Sequence, residues 1–280
     1  PAMRDFNIII IWRIKYEIKG NPLVSIIIPT KDKFEYIKRC LDSIIEKTTY
    51  KNYQIVIVDT GSSENKVWEL YEDTKKIHRN TVILKWRRSF NFSEVCNFGA
   101  KNSKGDYLLF LNNDTEVITS SWIENMLELA QLKNVGAVGC KLLFPNGRIQ
   151  HAGVVLGIAG GLVKKGVAGH PFKNFYNQKI NPGYARFVDS IRDCSVVTAA
   201  CILISRKKFN KIKGFDPVFR VAFNDVDFCL KSLKQGWFNV YTPYTIIKHW
   251  ESVSVGVPGQ KGRLIKEFLS EVKLMHRRWG

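Results

Sequence analysis

The stretch Tyr107–Thr115 (YLLFLNNDT) joins an unbroken apolar run to the polar residues Asn112, Asn113 and Asp114. An apolar run of this length is typical of a strand that is buried on both faces in a parallel sheet. In such sheets ligands bind outside the carboxyl ends of the strands, which is where Asp114 would lie. A carboxylate at that position suits a hard divalent cation that bridges phosphates. The alternative is that Asp114 closes a turn, as Asn and Asp commonly do.

Similar runs precede this strand and alternate with helical patterns. The predicted strands are Val24–Pro29, Gln54–Val58 and Thr81–Leu84, and the predicted helices are Phe34–Lys47, Asn65–Ile77 and Ser93–Ser103, with Ser93 as the N-cap. Alternating strands and helices predict βαβ units and a parallel sheet. Asp59 also follows a strand directly, so it either accepts hydrogen bonds from a nucleotide base or ribose or closes a turn.

The second half of the chain is less regular. Its predicted strands are Val135–Val138, Val154–Leu156, Val196–Ser205 and Phe238–Tyr241, its predicted helices are Trp122–Leu132, Val226–Gln235 and Leu264–Arg278, and Gly157–Asn181 is predicted to be a long loop. The last of these helices is basic and amphipathic.

Two further residues in this half are candidates for chemistry. Asp225 and Asp227 stand at a predicted helix start, where acidic side chains favour the helix dipole. The more specific interpretation is that one acid caps the helix while the other, Asp225, points into a cleft as a general base. His249 follows a predicted strand as a candidate metal ligand or phosphate contact, although a single His at such a place is often structural.

Composition narrows the class of protein. The chain has 280 residues, 45% of them hydrophobic, which suits one large α/β domain or two small ones. Its net charge of +18 either attracts polyanions such as nucleic acid, anionic lipid or phosphate-bearing substrates, or reflects only a surface rich in Lys from an AT-rich genome. The six cysteines lack metal-site spacing and sit mostly in apolar runs, so we expect buried thiols and a reducing, cytoplasmic location. No dinucleotide, P-loop or hydrolase-elbow motif is present.

Several motifs in order resemble the inverting family 2 glycosyltransferases of the GT-A fold. They are VSIIIPT, IVIVDTGSS, FNFSEVCNFGAKNSKGDYLLFLNNDTEV, GRIQHAGVVLG, VVTAACILISRKKFNKIKGFDPVF, AFNDVDFCLKSLKQGW and VYTPYTIIKHWESVSVG. Together they resemble the bacterial O-antigen and rhamnan-type transferases within that family. The resemblance implies an α/β GT-A fold, with a Rossmann-like, mostly parallel central sheet flanked by helices and a smaller mixed subregion on the acceptor side.

The resemblance also implies roles for individual residues. Pro29, Thr30, Asp32, Asp59 and Asn113 would contact the nucleotide, Asp114 and His249 would hold Mn²⁺ or Mg²⁺, and Asp225 would be the catalytic base. Weaker candidates for donor or acceptor contacts are Arg88, Asn97, Ala200, Asn224 and Trp250. The sequence departs from the family pattern twice, because Asn112 replaces the first acid of the D-x-D motif and Asn224 replaces the Glu before the base.

The resemblance runs from about Pro22 to Gly256 and predicts the domain organisation. Residues 1–21 form a lead-in, 22–256 a glycosyltransferase domain with a nucleotide-binding half (22–116) and an acceptor-binding half (117–256), and 257–280 the basic amphipathic helix. The expected donor is a UDP- or dTDP-linked sugar, and the expected acceptor is a glycan or lipid-linked glycan for cell-surface polysaccharide. Because the sequence begins Pro-Ala-Met, it is interpreted as part of a longer, multidomain chain.

Three alternatives concern the partners. The net charge and the Lys85–Arg88 run suggest nucleic acid, yet no nucleic-acid-binding motif appears, so no such partner is expected. A non-catalytic relative that binds nucleotide sugars is disfavoured because Asp114 and Asp225 are both present. The C-terminal helix and the apolar run Asn7–Trp12 either contact an anionic membrane peripherally or, for the helix, pack its apolar face on the domain.

Overall fold

A computed structural model of the chain describes residues 12–158, 166–175, 184–220, 222–250 and 262–280. The strands are β1 (Val24–Thr30), β2 (Tyr53–Asp59), β3 (Thr81–Lys85), β4 (Tyr107–Leu111), β5 (Thr115–Val117), β6 (Val135–Leu143), β7 (Ile149–His151), β8 (Val155–Leu156), β9 (Ala168–Gly169), β10 (Arg192–Cys194), β11 (Cys201–Ser205) and β12 (Phe238–His249). The helices are α1 (Phe34–Lys47), α2 (Asn65–Ile77), α3 (Phe92–Lys101), α4 (Trp122–Ala130), α5 (Arg206–Lys211), α6 (Asn224–Lys234) and α7 (Gly262–Trp279).

Within the described ranges, one twisted sheet organises the fold, in the order β10-β12-β6-β11-β4-β1-β2-β3. Strands β1 to β4 pair in parallel, and β12 pairs in parallel with β6. Strand β11 runs antiparallel to both β4 and β6, so β6 and β12 run in the same direction as β4. The carboxyl ends of β2, β4 and β12 therefore lie at the same edge of the sheet. The predicted mostly parallel α/β architecture is confirmed.

Helices cover both faces of this sheet. On one face α1, α2 and α4 bury Ile37, Leu41, Val67, Tyr71, Trp122 and Met126. On the other face α3, α5 and α6 bury Val95, Cys96, Phe209 and Phe228. The indole of Trp122 is fully buried and donates its N–H to Thr48 Oγ1 at 2.9 Å, so its polar atom is satisfied. The two apolar layers hold the strands rigidly and leave their carboxyl edge to carry polar side chains.

Several predicted elements differ from the observed ones, including β6, which extends to Leu143 rather than Val138, and α4, which ends at Ala130 rather than Leu132. Strand β11 begins at Cys201 rather than Val196, because the residues before it form a turn whose backbone groups bind outside the ladder. Strand β12 extends to His249, well past Tyr241. The N-cap of α3 is Asn91, whose side chain accepts the backbone N–H of Glu94, while Ser93 lies inside the helix.

Helix α7 packs against the domain. Val272 and Met275 on it are buried, and the ring of Phe268 lies 5.4 Å from that of Phe223. This confirms the alternative in which the helix packs its apolar face on the protein. The apolar run Asn7–Trp12 lies outside the described residues except for Trp12. Among the helices described, none is long and apolar enough to cross a bilayer.

All six cysteines are buried and none is in a disulfide, as the apolar settings predicted. The Gly157–Asn181 loop is described only at 157–158 and 166–175, where the short strand β9 pairs with β8.

Gly99 tests how tightly α3 packs on the sheet. A Cβ at this position would lie 2.5 Å from Ile27 Cγ2 and 3.0 Å from Val58 Cγ2. In a free helix, Gly→Ala stabilises by about 1 kcal/mol. Here we expect Gly99→Ala to destabilise the fold by about 1–3 kcal/mol, because Ile27 is stiff at χ1 and fully buried. Urea unfolding measures this, with the exposed Lys101→Ala in the same helix as the control. A higher midpoint for Gly99→Ala would contradict the packing.

Candidate active site

Asp114 and His249 meet at the carboxyl edge of the sheet. Strand β5 follows Asp114 and pairs with the end of β12, with His249 opposite Thr115. The Trp250 N–H donates to the Asp114 carbonyl at 3.0 Å, which fixes the two chain segments side by side. As a result, Asp114 Oδ1 lies 3.1 Å from His249 Nε2, and both side chains are more than nine-tenths buried.

Gln150 on β7 determines which ring nitrogen of His249 carries the proton. Its Oε1 lies 2.6 Å from His249 Nδ1, and its amide nitrogen faces the His249 carbonyl at 3.5 Å. This orientation makes Nδ1 the protonated nitrogen, because a carboxamide oxygen can only accept. In the neutral ring Nε2 then carries the lone pair, and this nitrogen lies 3.2 Å from the Asn112 amide nitrogen.

The donor set fits a divalent cation. Within the described residues Asp114 Oδ1 is buried and accepts no hydrogen bond, and it lies 3.1 Å from Nε2 of His249. Two ligands about 2.1 Å from an ion and at right angles lie about 3.0 Å apart, close to the observed separation. Carboxylate oxygen and imidazole nitrogen both suit Mn²⁺. Among the described residues there is no group of three or more His, Cys, Asp and Glu side chains that could hold a metal, so other ligands must complete the shell.

Asp225 lies in the first turn of α6 and is only partly buried. Burial raises the pKa of its carboxyl, and hydrogen bonds from the backbone of Ala199 and Val226 and from the Thr198 side chain partly offset the rise. Oδ2 accepts the Ala199 N–H at 3.3 Å and Oδ1 accepts the Val226 N–H at 2.9 Å. A carboxylate with a raised pKa and some open surface has the character of a general base.

The turn before β11 links Asp225 to the Asp114 corner. Ala199 donates its N–H to Asp225, and the next residue, Ala200, accepts the Asn112 N–H on its carbonyl at 3.0 Å. The structure thus pairs Asp114 with His249, and the backbone of Ala199 and Ala200 connects Asp225 of α6 to Asn112, two residues before Asp114. Ala200 acts in this bridge through its backbone.

Asp227, the second acid of α6, has different partners from Asp225. It is fully buried and accepts from Arg278 and Trp279 of α7. The interpretation that the two acids differ in role agrees with this geometry, although Asp227 binds a neighbouring helix rather than capping its own.

The residues predicted to contact the nucleotide form a connected edge. The Asn113 amide donates to Thr30 Oγ1 at 3.0 Å, and Thr60 donates its N–H to the Thr30 carbonyl at 2.8 Å. Pro29 lies in β1 opposite Val58. This network joins the ends of β1, β2 and β4 directly.

Asp59 and Asp32 close turns. Asp59 Oδ1 accepts the N–H groups of Gly61 and Ser62, each at 2.9 Å, and Oδ2 accepts the Tyr71 hydroxyl at 3.0 Å. Asp32 Oδ1 accepts the N–H groups of Ser63 and Glu64, and so ties the loop after β1 to the start of α2. The turn role left open for Asp59 is therefore present, while a nucleotide contact at either residue stays a prediction.

The weaker candidates have separate places. Asn97 binds both the N–H and the carbonyl of Phe215 with its amide, so its visible role is to join α3 to the segment before α6. Arg88 is exposed in the loop after β3, with its guanidinium 5.7 Å from the Trp86 ring. Asn224 is buried in the first turn of α6. The Trp250 ring lies 4.2 Å from the guanidinium of Arg39.

Gln150 contacts a predicted site residue, and the sequence did not single it out. It stands next to His151 in the GRIQHAGVVLG motif, yet its partner His249 is 99 residues away. No local spacing connects the two, and only the pairing of β7 with β6 and of β6 with β12 brings them together.

Comparisons with known proteins place the chain in a family. Residues 25–213 match the model of the family described as glycosyl transferase family 2. An uncharacterized protein of Sinorhizobium fredii is 38% identical over 96% of this chain and 29% of its own length. The O-antigen biosynthesis protein RfbC of Myxococcus xanthus is 38% identical over 87% of this chain and 18% of its own length. The chain thus spans less than a third of either relative.

Solved structures share the fold. GalNAc-T7 with UDP, GalNAc and Mn²⁺ superposes with a TM-score of 0.68 at 15% identity, over 91% of this chain and 48% of that one. The mannosyltransferase PcManGT of Pyrobaculum calidifontis, in complex with GDP-Man and Mn²⁺, gives 0.64 at 14% identity, over 94% of this chain and 67% of that one. Both are glycosyltransferases, and the predicted GT-A fold is confirmed. The chain belongs to glycosyl transferase family 2 and is a glycosyltransferase.

Proposed function

We propose that the protein transfers a sugar from a nucleotide sugar to an acceptor hydroxyl with inversion at the anomeric carbon. The observation that carries this proposal is the bridge through Ala199 and Ala200, which joins the base Asp225 to Asn112 beside Asp114. A base and a phosphate-binding corner are the two parts that a single displacement needs.

Asp114 and His249 would hold Mn²⁺ or Mg²⁺, with the diphosphate of the donor and water as the remaining ligands. Such an ion neutralises the charge that develops on a departing diphosphate. The loops after β1 and β3 carry Lys31, Lys33, Arg87 and Arg88, which are exposed and would attract the donor to this edge.

Asp225 would take the proton of the acceptor hydroxyl. The acceptor oxygen forms a bond to the anomeric carbon while the bond from that carbon to the phosphate oxygen breaks. The proton moves to the Asp225 carboxylate, and the nucleoside diphosphate leaves with the bonding electron pair. Because the attack is opposite to the leaving group, the configuration inverts without a covalent enzyme intermediate.

The substrates are proposed by chemical class. The donor is a UDP- or dTDP-linked sugar, and the acceptor is a glycan or lipid-linked glycan of a cell-surface polysaccharide. The similarity to an O-antigen biosynthesis protein supports such an acceptor, and solved relatives hold UDP or GDP-Man with Mn²⁺. Peripheral contact with an anionic membrane stays a prediction that now rests on the net charge of +18, because α7 packs its apolar face on the domain.

Replacing the base tests the reaction. We expect Asp225→Asn to lower turnover by about 10²–10⁴-fold while nucleotide affinity is kept, since the amide cannot accept the proton. Nucleotide release in a screen of UDP-sugars and dTDP-rhamnose measures this, with the exposed Asp73→Asn as the matched control. Wild-type kcat should rise with pH through an apparent pKa above that of an ordinary Asp, because the base works only when deprotonated and burial raises its pKa.

A variant Asp225→Asn that kept most of its turnover would refute the base assignment. A wild-type protein stabilised by a short oligonucleotide at physiological salt, and by no nucleotide with Mn²⁺, would favour nucleic-acid binding over the proposed reaction.

Asp114 is the test of the cation site. We expect Asp114→Ala to lose most of the gain in UDP or dTDP affinity that Mn²⁺ provides, about 10–100-fold, because the remaining imidazole is a single ligand. Titration calorimetry with and without Mn²⁺ measures the difference, and the exposed Asp73→Ala serves as the control. An equal Mn²⁺ effect in both variants would place the ion elsewhere.

Gln150 should act on the cation site through His249. We expect Gln150→Leu to remove the acceptor for His249 Nδ1 and to weaken Mn²⁺ binding by about 10–100-fold. Gln150→Glu keeps an acceptor and should retain binding. In the absence of metal, the ¹⁵N chemical shifts of the His249 ring report its tautomer. We expect the Nδ1-protonated tautomer in the wild type and a mixture of tautomers in Gln150→Leu. Unchanged ring shifts in that variant would contradict the assignment.

A further inference from the structure

The segment that carries the base is held from outside by the C-terminal helix. We call residues 216–225 the base segment, of which residue 221 lies outside the described ranges. It follows α5 and enters α6 at Phe223, a residue in the left-handed conformation with φ of 57°. Phe223 is also the N-cap of α6 and supplies no side-chain cap. A bulky residue at positive φ is strained and persists only where the surroundings enforce it.

Glu271 of α7 accepts two backbone hydrogen bonds from the middle of the base segment. Its Oε1 accepts the N–H of Arg220 at 2.8 Å, and its Oε2 accepts the N–H of Ala222 at 2.9 Å. The side chain is buried, so water does not replace these bonds easily. Hydrogen bonds from backbone amides to a carboxylate are about twice as strong as neutral ones.

Arg278, near the end of α7, bridges the two ends of the same region. Its Nη1 donates to Asp216 at 2.7 Å and to Asp227 at 2.9 Å, and the Trp279 indole also donates to Asp227 at 3.0 Å. Asp227 lies two residues after the base on α6 and is fully buried. The Arg278 side chain therefore binds both Asp216, at the start of the base segment, and Asp227, in the first turn of α6.

The opposite side of the base segment rests on the start of α3. Asn91 donates to the Pro217 carbonyl, Ser93 to the Phe219 carbonyl and the Phe92 N–H to the Arg220 carbonyl, at 2.8, 2.7 and 3.0 Å. The base segment lies between these two helices, and the start of α3 with its N-cap supplies donors to the carbonyls of Pro217, Phe219 and Arg220. Its N–H groups at Arg220 and Ala222 need acceptors, which Glu271 provides.

We propose that α7 is a positioning element for the catalytic base, with Glu271 and Arg278 as positioning residues. By holding both backbone and first helical turn, they fix the direction of the Asp225 carboxylate toward the acceptor hydroxyl. This role rests on the proposed function of Asp225. The family match ends at residue 213, so neither the base segment nor α7 is part of it.

Two variants test the proposal with matched controls. Glu271→Gln replaces one acceptor oxygen with a donor, and Arg278→Met keeps the stem but removes the charge. Glu72→Gln on the exposed side of α2 and Arg277→Met beside Arg278 make the same changes at exposed positions. The measurements are kcat, KM for the acceptor, nucleotide affinity with Mn²⁺, melting temperature, and hydrogen exchange at the amides of Arg220 and Ala222.

We expect both test variants to lower kcat about ten-fold or more, since small misplacements of a reacting group are costly. Nucleotide affinity should stay within about two-fold of the wild type, because the partners described for Asp114 and His249 are each other, Asn112, Gln150 and Trp250, none of which belongs to α7. In Glu271→Gln the amides of Arg220 and Ala222 should exchange faster. The control variants should match the wild type.

Faster exchange in Glu271→Gln with wild-type kcat would overturn the proposal. So would a parallel loss of kcat, nucleotide affinity and melting temperature, which indicates general destabilisation. Should Glu271→Gln fail to fold, Arg278→Met and the shortened Glu271→Asp decide by the same kcat-to-affinity comparison. Failure of the proposed function is distinct, because Asp225→Asn would then keep its turnover in the same assay.

Discussion

The antiparallel pairing of β11 with β4 is the constraint on which the site depends. With Cys201 opposite Leu111, the residues that precede β11 must lie beside those that follow β4. The backbone of Ala199 and Ala200 then has no strand partner and instead binds Asp225 on one side and Asn112 on the other. The register of β11 against β4 therefore determines how Asp225, at the start of α6, is positioned relative to Asp114 at the edge of the sheet.

Much of this fold could be predicted from the sequence because buried strands are written as short apolar runs. The limits of β1 follow from such a run, and those of α1 follow from the helical spacing of its apolar residues. The positions of Asp59 and Asp114 at strand ends follow from the alternation of strands and helices. The start of β11 could not be predicted, since Val196–Ala200 is as apolar as a strand and only its distant partners turn it. The Gln150–His249 contact is invisible in the sequence for the same reason, because it depends on a parallel pairing between distant strands.

The corner at Asp114 is poor in negative charge for a cation site. Asn112 leaves one carboxylate and one imidazole facing each other, and Gln150 lies against the other ring nitrogen of that imidazole. A site of this composition attracts an isolated cation weakly, because hard divalent ions favour carboxylates. The charge of a diphosphate would supply what the protein lacks, so that ion and donor would bind as a pair rather than in an obligatory order of ion first.

The last residues of the sequence contact the helix turn that carries the proposed base Asp225. Arg278 and Trp279 hold Asp227, and Gly280 follows at once. A force applied to the chain at Gly280 would act directly on Arg278 and Trp279. Because both side chains bind Asp227, the force would be transmitted to the first turn of α6. A tag or partner module fused at this end without a flexible spacer would therefore act on turnover before it acted on folding.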